Sequence, residues 1–195
     1  GLTAKNIHRL EVKWSFAYPN SIQARSEPVY GAGGIYMGSQ DGTVWALDAQ
    51  TGCLRWTFNA TAEIRTGVSI SPWSAGDSSI DPLIFFGDVI ANVYAVSART
   101  GELRWKVRVD DHRDATMTGT PSIYDGRLYV PVSSMEVVAA GNADYECCTF
   151  RGALLSLDAA TGEQQWKSYT IDKLPEAAGQ TIKGTNILAP SGAPI

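Results

Sequence analysis

The chain has 195 residues, 44% of them apolar, and its mean hydropathy is near zero. That is enough for a packed core and excludes a disordered or membrane-spanning chain. With 16 Lys and Arg against 20 Asp and Glu, and no basic stripe, no nucleic-acid partner is expected.

Nineteen Gly, six Trp and eight Tyr point to short aromatic strands joined by many turns. Residues Gly1–Arg9 contain no apolar run, so no secretion signal opens the sequence. There is no initiator Met, and Ser191–Ile195 has no terminating feature. Both ends therefore read as cuts in a longer protein, and the missing signal leaves the compartment open. Leu10–Phe16, with Trp14 in its middle, reads as the outer strand of an earlier unit.

From Glu27 onward one arrangement recurs. Strands are predicted at Glu27–Tyr30, Ile35–Gly38, Thr43–Asp48 and Leu54–Phe58. A second set is Gly67–Ile70, Leu83–Gly87, Asn92–Ser97 and Leu103–Val107. A third is Thr120–Tyr124, Arg127–Val132, Gly152–Asp158 and Gln164–Tyr169. The third-to-fourth turn of each set carries one phrase: Ala46-Leu47-Asp48-Ala49-Gln50-Thr51-Gly52 ending at Trp56, Ala95–Gly101 ending at Trp105, and Ser156–Gly162 ending at Trp166. Asp48 and Asp158 can bind the backbone of the turn that follows, and Ser97 can do so more weakly. Gly52, Gly101 and Gly162 supply φ > 0. A flat indole can fill the wedge between neighbouring units, with small Ala46 and Ala95 leaving room.

Four strands per unit and a period of roughly 50 to 60 residues mark an all-β propeller with four-stranded antiparallel blades. The expected blades are 26–58, 66–108 and 118–171, with 10–16 belonging to a preceding blade and 184–195 opening the next. Three blades cannot close a ring, so the remaining blades would come from the parent chain, with eight in all implied by the resemblance described below. An open stack exposes two blade faces, and the isolated piece is expected to be inactive. Ile171–Ile182 is the nearest approach to a helix, and the signal is weak.

Two blades carry extra chain: Ser71–Pro82 between the first and second strands of one, and Ser133–Phe150 between the second and third strands of another. Strands alternate in direction, so Ser133–Phe150 shares the leading face, where chain feeds into each blade, with Arg25, Glu27, Arg65, Thr66, Met117 and Thr118. Ser71–Pro82 lies on the opposite face and reads as surface decoration. Leading-face residues near the axis line a central funnel, which makes Arg25, Glu27, Arg65, Thr66, Thr118 and Thr120 candidate ligand contacts. The other reading of each is a solvated or turn-capping group.

Of three cysteines, Cys53 lies in a turn and reads as a bystander, whereas Cys147 and Cys148 are adjacent. The pair can close a vicinal disulfide, a flat apolar plate that needs an oxidising compartment. It can also stand as two thiols. Metal ligation fits worst, because C-x-x-C spacing is missing and His8 and His112 are the only histidines.

The A-x-D-x-x-T-G-x-x-x-W phrase resembles the tryptophan-docking repeat of the pyrroloquinoline-quinone (PQQ) dehydrogenases. Leu2–Leu10 with Trp14 resembles the opening segment of those propellers. Val107–His112 and Tyr145-Glu146-Cys147-Cys148-Thr149-Phe150-Arg151-Gly152 are similar to the polyvinyl alcohol dehydrogenase branch. The resemblance implies periplasmic oxidation of secondary alcohols, possibly polymeric, with PQQ as cofactor and a cytochrome c as electron acceptor. It implies Cys147 and Cys148 as a plate on the PQQ ring, Arg151 as an anion contact, and Arg25, Arg65, Thr66 and Thr118 as further cofactor contacts. Arg151 follows the pair sooner than the matching arginine does in the methanol branch. The family's catalytic aspartate and Ca²⁺ ligands are expected outside these residues, and a haem c on another domain of the parent. A propeller sharing the repeat without the cofactor, acting as an outer-membrane assembly scaffold, is the alternative.

Overall fold

The structure, a computed structural model, describes residues 1–19 and 21–191. Three antiparallel sheets follow one another along the chain, each a meander of four strands in sequence order. The first holds β1 (Val29–Gly31), β2 (Gly34–Gly38), β3 (Thr43–Asp48) and β4 (Leu54–Asn59). The second holds β5 (Ser69–Ile70), β6 (Leu83–Gly87), β7 (Asn92–Ser97) and β8 (Leu103–Arg108). In the third, β9 (Ala115–Thr116) joins the far end of β11 (Arg127–Ser134), which runs between β10 (Ser122–Tyr124) and β12 (Ala153–Asp158), with β13 (Gln164–Tyr169) outside.

Two cores lie between these blades, and strand alternation feeds both. In β7 every residue is buried. Val93 and Ala95 face the core shared with Leu128, Val130 and Leu155, whereas Tyr94 and Val96 face the core shared with Tyr36, Val44 and Ala46. A strand covered on both sides has no solvent face to keep polar, which is why Asn92–Ser97 is so apolar. In β13 only Lys167 is partly covered.

The repeated tryptophans fasten blade to blade. Trp14, Trp56 and Trp105 donate Nε1–H to the carbonyls of Ala49, Ala98 and Ala159 at 3.3, 3.2 and 3.1 Å. Their rings lie against Gly52, Gly101 and Gly162 of the following blade, where a Cβ would stand 2.8 Å from the indole in each case. The room for each indole is made on both sides: by these glycines, and by the small residue directly opposite it across the strand pair, Ala46 for Trp56 and Ala95 for Trp105, as the sequence led one to expect. Each glycine is needed twice, since φ is also 74°, 76° and 77°. Leu10–Phe16 forms no ladder among the described residues, although Trp14 docks as the later tryptophans do.

The turn of the second blade is repaired from outside the phrase. In the first blade Asp48 caps Gln50 and Thr51 and accepts Arg55 Nη2 at 2.7 Å. Ser97 caps Arg99 and Thr100, but has no carboxylate for the matching Arg104. Asp81, from the Ser71–Pro82 insertion, supplies one: it accepts Ser97 Oγ at 2.8 Å and Arg104 Nη2 at 2.7 Å. Arg99 in turn donates to the carbonyls of Asp77 and Ile80. The insertion is thus more than decoration.

Residues 171–182 are not helical. They lead into β14 (Glu176–Gln180), which pairs with β15 (Asn186–Ala189) as a two-stranded hairpin. The stretch has no apolar stripe to bury, and Pro175 and Gly179 disfavour a helix. Residues 184–189 belong to this hairpin, and 192–195 lie outside the described residues, so the reading of 184–195 as the opening of a fourth blade becomes in part a hairpin.

Candidate functional site

Strand β11 overruns its blade. Its last residues pair with β9, Ser133 opposite Thr116 and Ser134 opposite Ala115. This carries the Ser133–Phe150 insertion away from the sheet. One turn of helix, α1 (Glu136–Ala139), follows, and the chain then folds back through Tyr145 to Cys147.

Glu136 ties the insertion together. It is 3% exposed. Its Oε1 accepts the Thr149 N–H at 3.0 Å, the Tyr145 hydroxyl at 3.1 Å and the Thr149 hydroxyl at 3.2 Å; its Oε2 accepts only the Phe150 N–H, at 2.9 Å. A buried carboxylate is stable only when bonded in this way. Backing it, His112 Nδ1 accepts the Asp114 N–H at 3.1 Å, so Nε2 carries the proton and donates to Thr149 Oγ1 at 2.9 Å. The imidazole also meets the Phe150 ring edge-on at 5.3 Å.

The fold-back borders a half-open cavity of about 570 Å³ between β9, α1 and the segment after Tyr145, within the span of roughly 300–1,000 Å³ usual for small-molecule sites. Met135, Val137, Ala140 and Phe150 give apolar wall; Glu136 and the hydroxyls of Thr116, Thr118, Ser133 and Ser134 give polar edges; Cys148 and Ser191 complete it. Thr116 is 1% exposed, and its Oγ1 has no hydrogen-bond partner among the described residues. That hydroxyl is sealed behind the cavity wall, whereas Thr118 is exposed and open to a polar ligand.

Cys147 and Cys148 are joined as a disulfide, and Cys148 faces this cavity. Thr118 lies on the same wall. The remaining candidates are elsewhere. Thr66 is fully buried, its hydroxyl donating to the Gly87 carbonyl at 3.2 Å and accepting the Gly87 N–H at 3.0 Å, so it has nothing left for a ligand. Thr120 accepts the Gly67 N–H at 2.9 Å. Arg151 stacks 3.8 Å over Tyr169 and donates to the carbonyls of Asp172 at 2.9 Å and Ile171 at 3.4 Å. It lies two residues before Ala153, the first residue of β12, which pairs with Tyr169, so its side chain falls across the end of β13 instead of into the cavity.

Arg25 and Arg65 converge on Glu63, which the sequence did not single out. Arg65 Nη2 donates to Oε2 at 3.0 Å, Arg65 Nε lies 3.0 Å from Oε1 and Arg25 Nη1 lies 3.5 Å from Oε1. The Nε approach is off the N–H axis and leaves both atoms without a directed partner. Two guanidiniums on one carboxylate keep a net positive charge, fit for an anionic ligand. None of the three lines the cavity.

For a metal, His112, Asp114 and Glu136 place potential ligand atoms within 4.8 Å of one another. The His112 Nδ1 lone pair is already committed to the Asp114 N–H, so the remaining capacity lies on the two carboxylates, on Asp114 Oδ1 and Glu136 Oε2. The sequence missed Glu136, Thr116 and Phe150. Glu136 had a faint signal, as a lone acid in the apolar run Met135–Ala140.

Comparison with known proteins adds three findings. A family profile described as "Glucose/ethanol/alcohol dehydrogenase, beta-propeller domain" matches residues 1–106, and one described as "Outer membrane protein assembly factor BamB" matches 72–192. Polyvinylalcohol dehydrogenases from a Pseudomonas species and from a Sphingopyxis strain are 39% and 37% identical over 100% of the chain, which spans 30% and 29% of their lengths. Among solved structures, a europium-containing methanol dehydrogenase aligns over 86% of the chain and 28% of its own, with 21% identity and TM-score 0.61. The quinohemoprotein alcohol dehydrogenase of Comamonas testosteroni aligns over 77% and 22%, at 21% identity and TM-score 0.58. These two show the propeller fold.

Proposed function

The chain belongs to the PQQ family of alcohol dehydrogenase β-propellers, and on that premise we propose that it forms part of the cofactor-bearing ring of a PQQ-dependent alcohol dehydrogenase. One observation carries the reading: a vicinal disulfide stands at the wall of a cavity that combines apolar faces with polar edges. A flat quinone with carbonyl and carboxylate edges suits such a cavity. Cys147–Cys148 would cover one ring face, Thr118 would bind an edge oxygen, and Phe150 and Met135 would exclude water.

Arg25 and Arg65 would contribute positive potential toward the cofactor's carboxylates, with Glu63 orienting both. Arg151, held on Tyr169, and Thr66, spent on Gly87, have no direct role in this reading. The free capacity of Glu136 Oε2 suits a hard cation, and it would offer one oxygen to Ca²⁺, with other ligands supplied by the remaining blades. When bound, PQQ with Ca²⁺ supplies the electrophilic carbonyl that accepts two electrons from an alcohol. The residues of this chain bind and orient it. The general base is assigned to the rest of the ring.

The substrate class is a secondary alcohol, polyvinyl alcohol included, in line with the names of the most similar relatives. A disulfide at the site fits a periplasmic location. A cytochrome c as acceptor, and a haem c on another domain, are parts of the same proposal. Among the described residues no helix is long and apolar enough to cross a membrane.

The test is dye reduction by the full-length parent. Activity toward secondary alcohols is expected only when both PQQ and Ca²⁺ are supplied. A folded parent inactive on a range of alcohols with both present would contradict the assignment and favour the scaffold reading, which the second profile match supports.

A further inference from the structure

We infer that the β14–β15 hairpin is a strap that positions the Cys147–Cys148 segment, with Leu188, Lys183 and Asn186 as its positioning residues. The hairpin shares no ladder with a blade among the described residues, and β14 is exposed throughout. Its attachments run along residues 143–148 in order. Thr181 Oγ1 donates to the Ala143 carbonyl at 2.9 Å, and Lys183 Nζ pairs with Asp144 Oδ2 at 2.6 Å. Asn186 Nδ2 then donates to Glu146 Oε1 at 3.1 Å. The Leu188 N–H donates to the Cys147 carbonyl at 2.6 Å, and the Cys148 N–H to the Leu188 carbonyl at 3.4 Å.

The two segments therefore zip together in parallel, as the bridge between Ile187 and Cys147 also records. Leu188 engages the backbone of both cysteines, and Ser191, three residues on, shares the cavity wall with Cys148. A hairpin with so little buried apolar surface is held in place by these polar contacts. Losing them would loosen the disulfide wall and leave the blades intact. The inference rests on the reading that Cys147–Cys148 covers the cofactor.

The experiment uses the full-length parent and reads PQQ affinity by quenching of tryptophan fluorescence, alongside the melting temperature of the apoprotein. Leu188→Pro removes one N–H, the one committed to Cys147. It is expected to weaken PQQ binding about five- to tenfold, the loss of one good hydrogen bond. The double variant Lys183→Ala with Asn186→Ala is expected to weaken it about threefold, and Lys183→Arg with Asn186 intact to bind as the wild type does. Melting temperatures should stay within about 2 °C of wild type. If Leu188→Pro fails to fold, the double variant and Lys183→Arg decide the matter. Wild-type affinity in the strap variants, with weakened binding in Cys147→Ser/Cys148→Ser, would overturn the strap and leave the disulfide's role standing. Wild-type affinity in the cysteine variant as well would overturn both.

Discussion

At the scale of single residues, the turn carboxylates have the clearest energetic signature. The Arg55 guanidinium, followed by the Thr51 amide, holds the Asp48 carboxyl well below its usual range, and the Thr161 amide and hydroxyl lower Asp158. Each is less easily protonated folded than unfolded, so its contribution is present above the unfolded value of 3.8 and fades as pH falls below it. Asp48→Asn should flatten the fall in melting temperature of the full-length protein between about pH 4.5 and pH 2.5. An unchanged slope would mean the turn does not feel this charge. By contrast, burial, with donation to Asp88, pushes the Tyr94 hydroxyl up to about 12, so it stays neutral throughout that range.

These turn residues were legible because their roles are local: a carboxylate two or three positions before the amides it caps, and a glycine where φ is positive. The double duty of Gly52, Gly101 and Gly162 was not legible, since the indole against each comes from the preceding blade, 38 or more positions earlier. Glu136 and Thr116 escaped for the same kind of reason. Their burial arises only when the insertion folds back over the end of β11.

At the scale of elements, the two insertions part company. Ser71–Pro82 returns Asp81 to a turn that lost its own carboxylate at Ser97. The side chains of Arg104 and Asp81 are 40% and 32% exposed, so solvent screens the pair and its contribution is small. Asp81→Asn should lower stability slightly, and adding Ser97→Asp should restore most of the loss by rebuilding the arrangement of Asp48 and Arg55. A thermal or urea melt of the single and double variants checks this; additive effects without restoration would refute the exchange. No sequence rule could have paired Asp81 with Arg104, because the insertion has no counterpart in the other blades.

The Ser133–Phe150 insertion builds the cavity instead. That its cysteines share a face with the chain feeding into each blade was read from strand direction alone. Where Arg151 points was not, because that depends on the register of β12 against β13 and on the reach of one side chain to Tyr169. The helical expectation for 171–182 failed for a related reason. A polar stretch takes its shape from what it docks on, here the segment of Cys147.

At the scale of the molecule, three blades and two inter-blade cores were readable from the period of the repeat. Each core needs apolar alternation on two facing sheets, and β7 satisfies both at once. Trp105, docked on Gly162, is 8% exposed, whereas Trp166, at the end of the third blade, is 37% exposed. A further blade presenting a glycine turn would cover it, as Gly162 covers Trp105. The central claim is that the cavity beside Cys148 grips a quinone. A crystal structure of the full-length parent with PQQ tests it most directly. The expected result is the ring lying flat on the Cys147–Cys148 disulfide at van der Waals separation, about 3.5–4 Å, with an edge oxygen on Thr118 Oγ1. PQQ bound away from that cavity, or ordered there without touching either sulfur, would contradict it.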